Sequence, residues 1–128
     1  VIKEGTDITL IGYSMTVETA KEVEAKLAKQ GVSAEIIDLR TISPLDEVTI
    51  LDSVKKTHRA IKIQEAWSYA SVGDSIASVI QQKAFDSLDA PVVVFSGKDT
   101  PMPYAENLEK LALPQVDEIV AKALSMVK

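Results

Sequence analysis

The chain has 128 residues, a mass of 13.9 kDa, one histidine and no cysteine, and 14 Lys and Arg against 19 Asp and Glu leave a net charge of −5. A chain of this length can fold as one domain without a disulfide or a metal, and the lack of cysteine excludes thiolate catalysis, CxxC redox chemistry and cysteine-based metal sites. The acidic balance disfavours nonspecific nucleic-acid binding, and no apolar run approaches the roughly 20 residues of a membrane span.

The first part of the chain alternates between a strand-like and a helix-like pattern. A β-rich run over 8–13 predicts the first strand, and the spacing of apolar residues over 15–30 predicts the first helix. Gly31 supplies the left-handed position that ends this helix. A second strand is predicted over 32–39.

The second helix has a strong start signal. Ser43 is the predicted N-cap and Pro44 the first helical residue, and the helix is expected to end near Thr57. Its predicted buried face has four apolar positions: Leu45, Val48, Ile50 or Leu51, and Val54. His58 follows at the helix end, where we interpret it as a structural residue.

The second half of the chain repeats the alternation. The predicted elements are a strand over 60–65, a helix over 72–85, a strand over 92–96, a turn-rich loop over 96–104, a short helix over 105–111 and a final helix over 114–128. Strands that alternate with helices predict parallel strands joined by crossover helices, and therefore a three-layer α/β/α sandwich.

Ligands of such sheets bind beyond the carboxyl ends of the strands, so the loops there are the places to search for chemistry. The first of these loops has one glycine, Gly12, which does not match a dinucleotide-binding GxGxxG motif, and no phosphate-binding P-loop occurs. The third strand ends at Gln64-Glu65 without the aspartate of a phospho-receiver domain. No serine can be paired with a base. Glu65, at a strand end, and Trp67 remain as candidate functional residues.

Five segments in a fixed order resemble the C-terminal domain of the β subunit in the E1 component of 2-oxoacid dehydrogenase complexes. The segments are 32–46 (VSAEIIDLRTISPLD), 63–67 (IQEAW), 84–91 (AFDSLDAP), 101–105 (PMPYA) and 113–116 (LPQV). The PMPYA loop and the LEKLALP segment after it are more similar to pyruvate dehydrogenase than to the branched-chain enzyme.

The resemblance implies a transketolase C-terminal-like domain over 8–128 with a mostly parallel five-stranded sheet that carries one antiparallel strand. Residues 1–7 are then the end of an interdomain linker in a longer subunit. Members of the family form α2β2 heterotetramers that decarboxylate a 2-oxoacid on thiamin diphosphate and reductively acylate the lipoyl group of E2. Thiamin diphosphate, its Mg²⁺ and the catalytic groups belong to the α subunit and to the N-terminal domain of the β subunit.

The resemblance therefore implies that this chain has no catalytic, cofactor-binding or metal-binding residue and is inactive alone. Its expected partners are the E1 α subunit, a second β subunit and the peripheral subunit-binding domain of E2. Asp89 and the C-terminal carboxylate of Lys128 occupy the positions where the family binds that basic domain. Glu65, Trp67 and Tyr104 are candidate interface residues.

Two alternatives stay open. The chain could be the same domain of a branched-chain 2-oxoacid or acetoin dehydrogenase, since these enzymes share much of the sequence pattern. It could also be a free-standing α/β module that binds a partner. The bacterial cytoplasm and the mitochondrial matrix both suit an acidic domain without cysteine.

Overall fold

The structure is a computed structural model that describes residues 1–13, 15–40, 46–67, 72–97 and 116–127. In chain order the elements are β1 (Ile8–Gly12), α1 (Met15–Lys29), β2 (Ala34–Asp38), α2 (Glu47–Thr57), β3 (Ala60–Trp67), α3 (Val72–Lys83), a 3-10 helix (Phe85–Ser87), β4 (Val93–Gly97) and α4 (Val116–Val127).

The four strands form one sheet in the order β2-β1-β3-β4, and every neighbouring pair is parallel. Each connection must therefore cross from one end of the sheet to the other, which is why helices alternate with strands. The chain moves outward from β1 to β2 and then returns to place β3 on the other side of β1. Within the described ranges no helix is both long enough and apolar enough to cross a bilayer.

Two separate apolar cores confirm the predicted three-layer sandwich. One core joins α1 and α4 to the first face of the sheet, and its members include Leu10, Val23, Leu27, Ile61 and Ile119. The other joins α2 and α3 to the opposite face, and its members include Ile11, Ile37, Ile50, Val54 and Ile80. Successive residues of each strand point to opposite faces, so a strand such as β1 contributes to both cores.

The described residues form four strands where five were expected. The antiparallel contribution is a single bridge between Lys3 and Ile36, made by the Ile2 N–H to the Ile36 carbonyl oxygen (3.0 Å) and by the Ile36 N–H to the Lys3 carbonyl oxygen (2.9 Å). The pairing stops there because the backbone N–H of Gly5 instead donates to the Glu35 side chain (3.2 Å). Residues 1–7 thus run along the outer edge of β2 without completing a strand.

Helix α2 starts later than the sequence predicted. Asp46 is its N-cap, since the Asp46 carboxylate accepts from the Thr49 N–H at 3.2 Å, and the predicted start at Ser43 and Pro44 falls outside the described residues. The Thr49 hydroxyl and, to a smaller extent, the Thr49 N–H donate hydrogen bonds to the Asp46 carboxylate, and these bonds lower the pKa of Asp46 below its usual range. The prediction that Val48 is buried is wrong: its side chain is 70% exposed.

The buried face of α2 is partly polar, which explains the error. Its inward positions are Ile50, Ser53, Val54 and Thr57, spaced i, i+3, i+4 and i+7. The hydroxyls of Ser53 and Thr57 each lie 2.7 Å from the hydroxyl of Thr9 on β1. Because these buried hydroxyls satisfy one another, the helix can pack through them and leave Val48 in solvent.

A buried carboxylate also lies beneath α2. Glu35 on β2 is 1% exposed and forms an ion pair with Lys56, whose ammonium also donates to Glu4 at 2.9 Å. Burial by itself raises the pKa of Glu35, but hydrogen bonds from Lys56, Ser53 and Gly5 outweigh it and hold that pKa below its usual value. The hydrogen bonds from Lys56 to Glu35 and Glu4 raise the pKa of Lys56. This cluster attaches the N-terminal segment to the domain.

Candidate functional site

Asp89 lies at the end of the sheet from which the parallel strands start. It comes shortly before β4, and Arg59 comes directly before β3, the parallel neighbour of β4. Their side chains meet there: Arg59 Nη2 is 3.6 Å from Asp89 Oδ2, with the Asp89 side chain 57% exposed and that of Arg59 20% exposed. We call this end of the sheet the amino edge.

His58 holds the backbone around Asp89. It is the C-cap of α2 and adopts a left-handed conformation (φ 64°), which histidine tolerates better than most residues. Its carbonyl oxygen accepts from the Asp89 N–H at 2.9 Å, and its ring Nδ1 lies 2.6 Å from the Ser87 carbonyl oxygen. Because a carbonyl oxygen only accepts, Nδ1 carries the proton. His58 is therefore structural, as interpreted from the sequence, and it fixes the turn that carries Asp89.

Arg59 connects three distant parts of the chain at this edge. Its Nε donates to the Met126 carbonyl oxygen near the end of α4 (2.9 Å), and its Nη1 donates to the Asp7 carbonyl oxygen (3.1 Å). The planar guanidinium keeps these donors in a fixed geometry, so the remaining nitrogen is directed at Asp89. Met126 is two residues before Lys128 in the sequence, and Lys128 itself lies outside the described residues.

This arrangement presents an oriented carboxylate that can bind a cation. Asp89 is held from behind by a backbone hydrogen bond and by Arg59, while more than half of its side chain faces solvent. An exposed, oriented carboxylate of this kind contributes mainly to the rate and register of association with a basic partner.

The other candidate residues are not at the amino edge. The backbone of Glu65 and Trp67 lies in the last residues of β3, at the opposite end of the sheet, and their side chains are outside the described part. Pairing between β3 and β4 is irregular there, since Ile63 is opposite Phe95 but Trp67 is opposite Gly97. Tyr104 and Lys128 also lie outside the described residues.

The carboxyl edge of the sheet, where β1 and β2 end, exposes apolar side chains. Tyr13 is 44% exposed after β1, Met15 is 70% exposed at the start of α1, and Val48 is 70% exposed in the first turn of α2. Because α1 and α2 each follow a strand, both helices begin at this edge. The apolar side chains make it a candidate interface with other protein.

A small cavity at the carboxyl edge does not fit an organic cofactor. Its volume is about 120 Å³, and its polar lining includes Asp38, Arg40 and Asp46. Cofactor sites usually enclose several hundred cubic ångströms, so this cavity is too small for one. Among the described residues no three His, Asp or Glu side chains come together as ligands of a metal ion.

Sequence reasoning missed the contacts of Arg59 and the exposure of Phe85. The three partners of the Arg59 guanidinium, Asp89, Asp7 and Met126, are distant in the chain, so no local pattern could indicate them. Phe85 was placed at the end of a helix predicted over 72–85, but α3 ends at Lys83 and Phe85 is 68% exposed on the 3-10 helix. Its one sequence signal was an aromatic residue directly before Asp86 and four residues before Asp89.

Comparison with known proteins gives a consistent result. A family model described as "Transketolase, C-terminal domain" matches residues 1–119. The chain is 47% identical over 120 residues to the pyruvate dehydrogenase E1 component subunit beta of Rickettsia felis, an alignment that covers 94% of this chain and 37% of the relative. It is 45% identical over 121 residues to the mitochondrial subunit beta of Dictyostelium discoideum, covering 94% of this chain and 34% of the relative. The chain thus spans about a third of the length of these relatives.

Solved structures show the same fold. A split-gene transketolase, described as an inactive beta4 tetramer, superimposes with a TM-score of 0.83 at 24% identity and covers all of this chain and 41% of that one. A 2-oxoglutarate:ferredoxin oxidoreductase from Magnetococcus marinus superimposes with a TM-score of 0.62 at 10% identity and covers all of this chain and 19% of that one.

Proposed function

Since this chain belongs to the transketolase C-terminal domain family, we propose that it is the C-terminal domain of the β subunit of a pyruvate dehydrogenase E1 component. Relatives that carry this name are 45–47% identical over nearly all of the chain. They include bacterial and mitochondrial proteins, which supports the bacterial cytoplasm or the mitochondrial matrix as the location. The parent enzyme would decarboxylate pyruvate and reductively acetylate the lipoyl group of E2.

Thiamin diphosphate and Mg²⁺ would be bound by the other parts of the α2β2 enzyme. The residues of this chain would then serve assembly with the α subunit and the second β subunit, and docking of E2. Decarboxylation by this chain alone, supplied with thiamin diphosphate and Mg²⁺, would contradict that division.

The observation that carries the docking proposal is the exposed Asp89 carboxylate held by Arg59 beside the end of α4. The partner would be the basic peripheral subunit-binding domain of E2, whose positive side chains would pair with Asp89 and, provided Lys128 is the C-terminus of the parent subunit, with its carboxylate. Arg59 is occupied by two carbonyl oxygens, so it positions Asp89 without blocking its solvent side.

We expect Asp89→Asn to weaken binding of the E2 subunit-binding domain to the assembled E1 by about tenfold at low salt, because an interfacial charge pair is lost. The effect should nearly vanish at about 1 M salt, where the Debye length is about 3 Å. Calorimetric titration at both salt concentrations measures this. Asp52→Asn, which removes an exposed acid from α2, is the matched control. Unchanged affinity in the Asp89 variant would remove Asp89 from the docking site.

The exposed apolar residues of the carboxyl edge support the assembly role. Tyr13, Met15 and Val48 make this edge suited to burial against another subunit. We expect Met15→Glu in the parent subunit to weaken heterotetramer formation about tenfold, because a buried charge replaces apolar contact. Sedimentation velocity measures the fraction assembled. Ala25→Glu, at an exposed position further along α1, is the control, and equal assembly of the two variants would contradict the proposal.

A further inference from the structure

We propose that Phe85 and the cavity beside it form an apolar anchor site for the same small basic domain of E2, next to the carboxylate of Asp89. The inference rests on the proposed function and adds to it an uncharged half of the docking surface. We call the exposed surface of Phe85, Asp86, Asp89 and Pro91 the anchor patch.

Phe85 is exposed, unlike Ala84 and Leu88, the apolar residues nearest to it in the chain. Its side chain is 68% exposed, whereas Ala84 before it is 3% exposed and Leu88 after it packs against the core beneath α2 and α3. Phe85 therefore contributes little to the folding of this domain. A binding partner that covered it would remove a large apolar surface from water, which is typical of the aromatic residues that dominate interfaces.

The backbone that carries Phe85 is already ordered. The Ser87 N–H donates to the Ala84 carbonyl oxygen (2.9 Å), and the Leu88 N–H donates to the Phe85 carbonyl oxygen (3.1 Å). The ring of His58 binds the Ser87 carbonyl oxygen from the other side (2.6 Å). Because these hydrogen bonds form in the absence of a binding partner, ordering this segment on docking would cost little conformational entropy.

A cavity of about 230 Å³ joins Phe85 to Asp89. Its lining residues are Gln81, Phe85, Leu88, Asp89, Ala90 and Pro91. A basic side chain of the partner that pairs with Asp89 would bring its apolar neighbours over the same cavity. The cavity and the carboxylate thus form one continuous surface.

The charges around the anchor patch favour a basic occupant. Asp86 and Asp89 are both exposed. Of the nearby cations, Lys83 forms an ion pair with Glu47 on α2 at 2.7 Å, and Arg59 lies behind Asp89 at 3.6 Å with 20% of its side chain exposed against 57% of that of Asp89. The patch therefore presents negative charge around an apolar centre, the arrangement that complements a basic domain with apolar residues between its cations.

The test uses the full-length β subunit assembled with its α subunit, titrated calorimetrically with the recombinant E2 subunit-binding domain at low and at high salt. We expect Phe85→Ala to raise the Kd about tenfold at both salt concentrations, because the loss of an apolar anchor is not screened. Ile2→Ala removes another exposed apolar side chain, on the segment that borders β2 at the far side of the sheet, and should leave the Kd unchanged.

Each other outcome has a distinct meaning. If Phe85→Ala leaves the Kd unchanged while Asp89→Asn raises it at low salt, the anchor site is refuted and the docking function stands. If neither variant changes the Kd, both are refuted. If Phe85→Ala instead dissociates the heterotetramer, the anchor patch belongs to a subunit interface and the inference is overturned.

Discussion

Replacing Lys62 with methionine is expected to raise the free energy of unfolding of this chain at pH 7 by about 2–3 kcal/mol. Lys62 is in the middle of β3 and 2% exposed, and its one side-chain hydrogen bond within the described part of the chain is from Nζ to the Ile63 carbonyl oxygen at 2.8 Å. Burial lowers the pKa of Lys62 to about 8. Methionine has a similar shape and would remove the cost of a buried ammonium.

The stabilisation by Lys62→Met should depend on pH in a defined direction. Below pH 8 the lysine is charged in both states, so the wild-type chain bears the full cost of burying the charge. Between pH 8 and about 10.4, the ordinary pKa of lysine, the folded chain loses its proton before the unfolded chain does, so wild-type stability rises with pH. The advantage of the variant should therefore shrink over this interval.

Urea unfolding of the wild type and the variant at a series of pH values from 6 upward measures this difference. Lys122→Met removes an exposed lysine from α4 and is the matched control, with little expected change. A Lys62 variant that is less stable than the wild type at pH 7, or a difference that grows above pH 8, would contradict the argument.

Gly5→Ala is expected to lower the free energy of unfolding by about 1–3 kcal/mol, because an added methyl group would overpack a closed contact. A Cβ at this position would lie inside van der Waals contact with the backbone of Ala34 and Glu35 on β2. Backbone atoms of a central layer cannot move aside as a side chain can. The N-terminal segment would then have to leave the edge of β2.

Amide hydrogen exchange locates this effect. The Ile2, Gly5 and Ile36 amides, which join the segment to β2 and to Glu35, should exchange faster in the Gly5 variant. Gly31→Ala is the control: it meets no atom within 4 Å, and its φ of 78° makes alanine strained there. We expect that control to cost about 1 kcal/mol without faster exchange at Ile36. If the Gly5 variant had the same free energy of unfolding and the same amide exchange rates as the wild type, the tight contact would be refuted.

Local patterns predicted some parts of the candidate site correctly, and the missing parts have a common cause. The positions of Asp89 before β4 and of His58 at the end of α2 follow from strand and helix signals within a few residues. The contact of Asp89 with Arg59, and of Arg59 with Met126 and Asp7, depends on chain segments that meet only in the folded domain. The exposure of Phe85 likewise depends on α3 ending at Lys83.

The sequence by itself determined the α/β/α class, the parallel order of alternating strands and helices, and the family, because apolar periodicity, glycine stops and ordered motifs are local properties of the chain. Only the tertiary structure decided which face of α2 is buried, since the hydroxyls of Ser53 and Thr57 find their partner on β1. It also decided that Arg59 brings Asp89, Met126 and Asp7 together. The physical reason is that hydrogen bonds and ion pairs between distant segments are set by packing, which no short stretch of sequence contains.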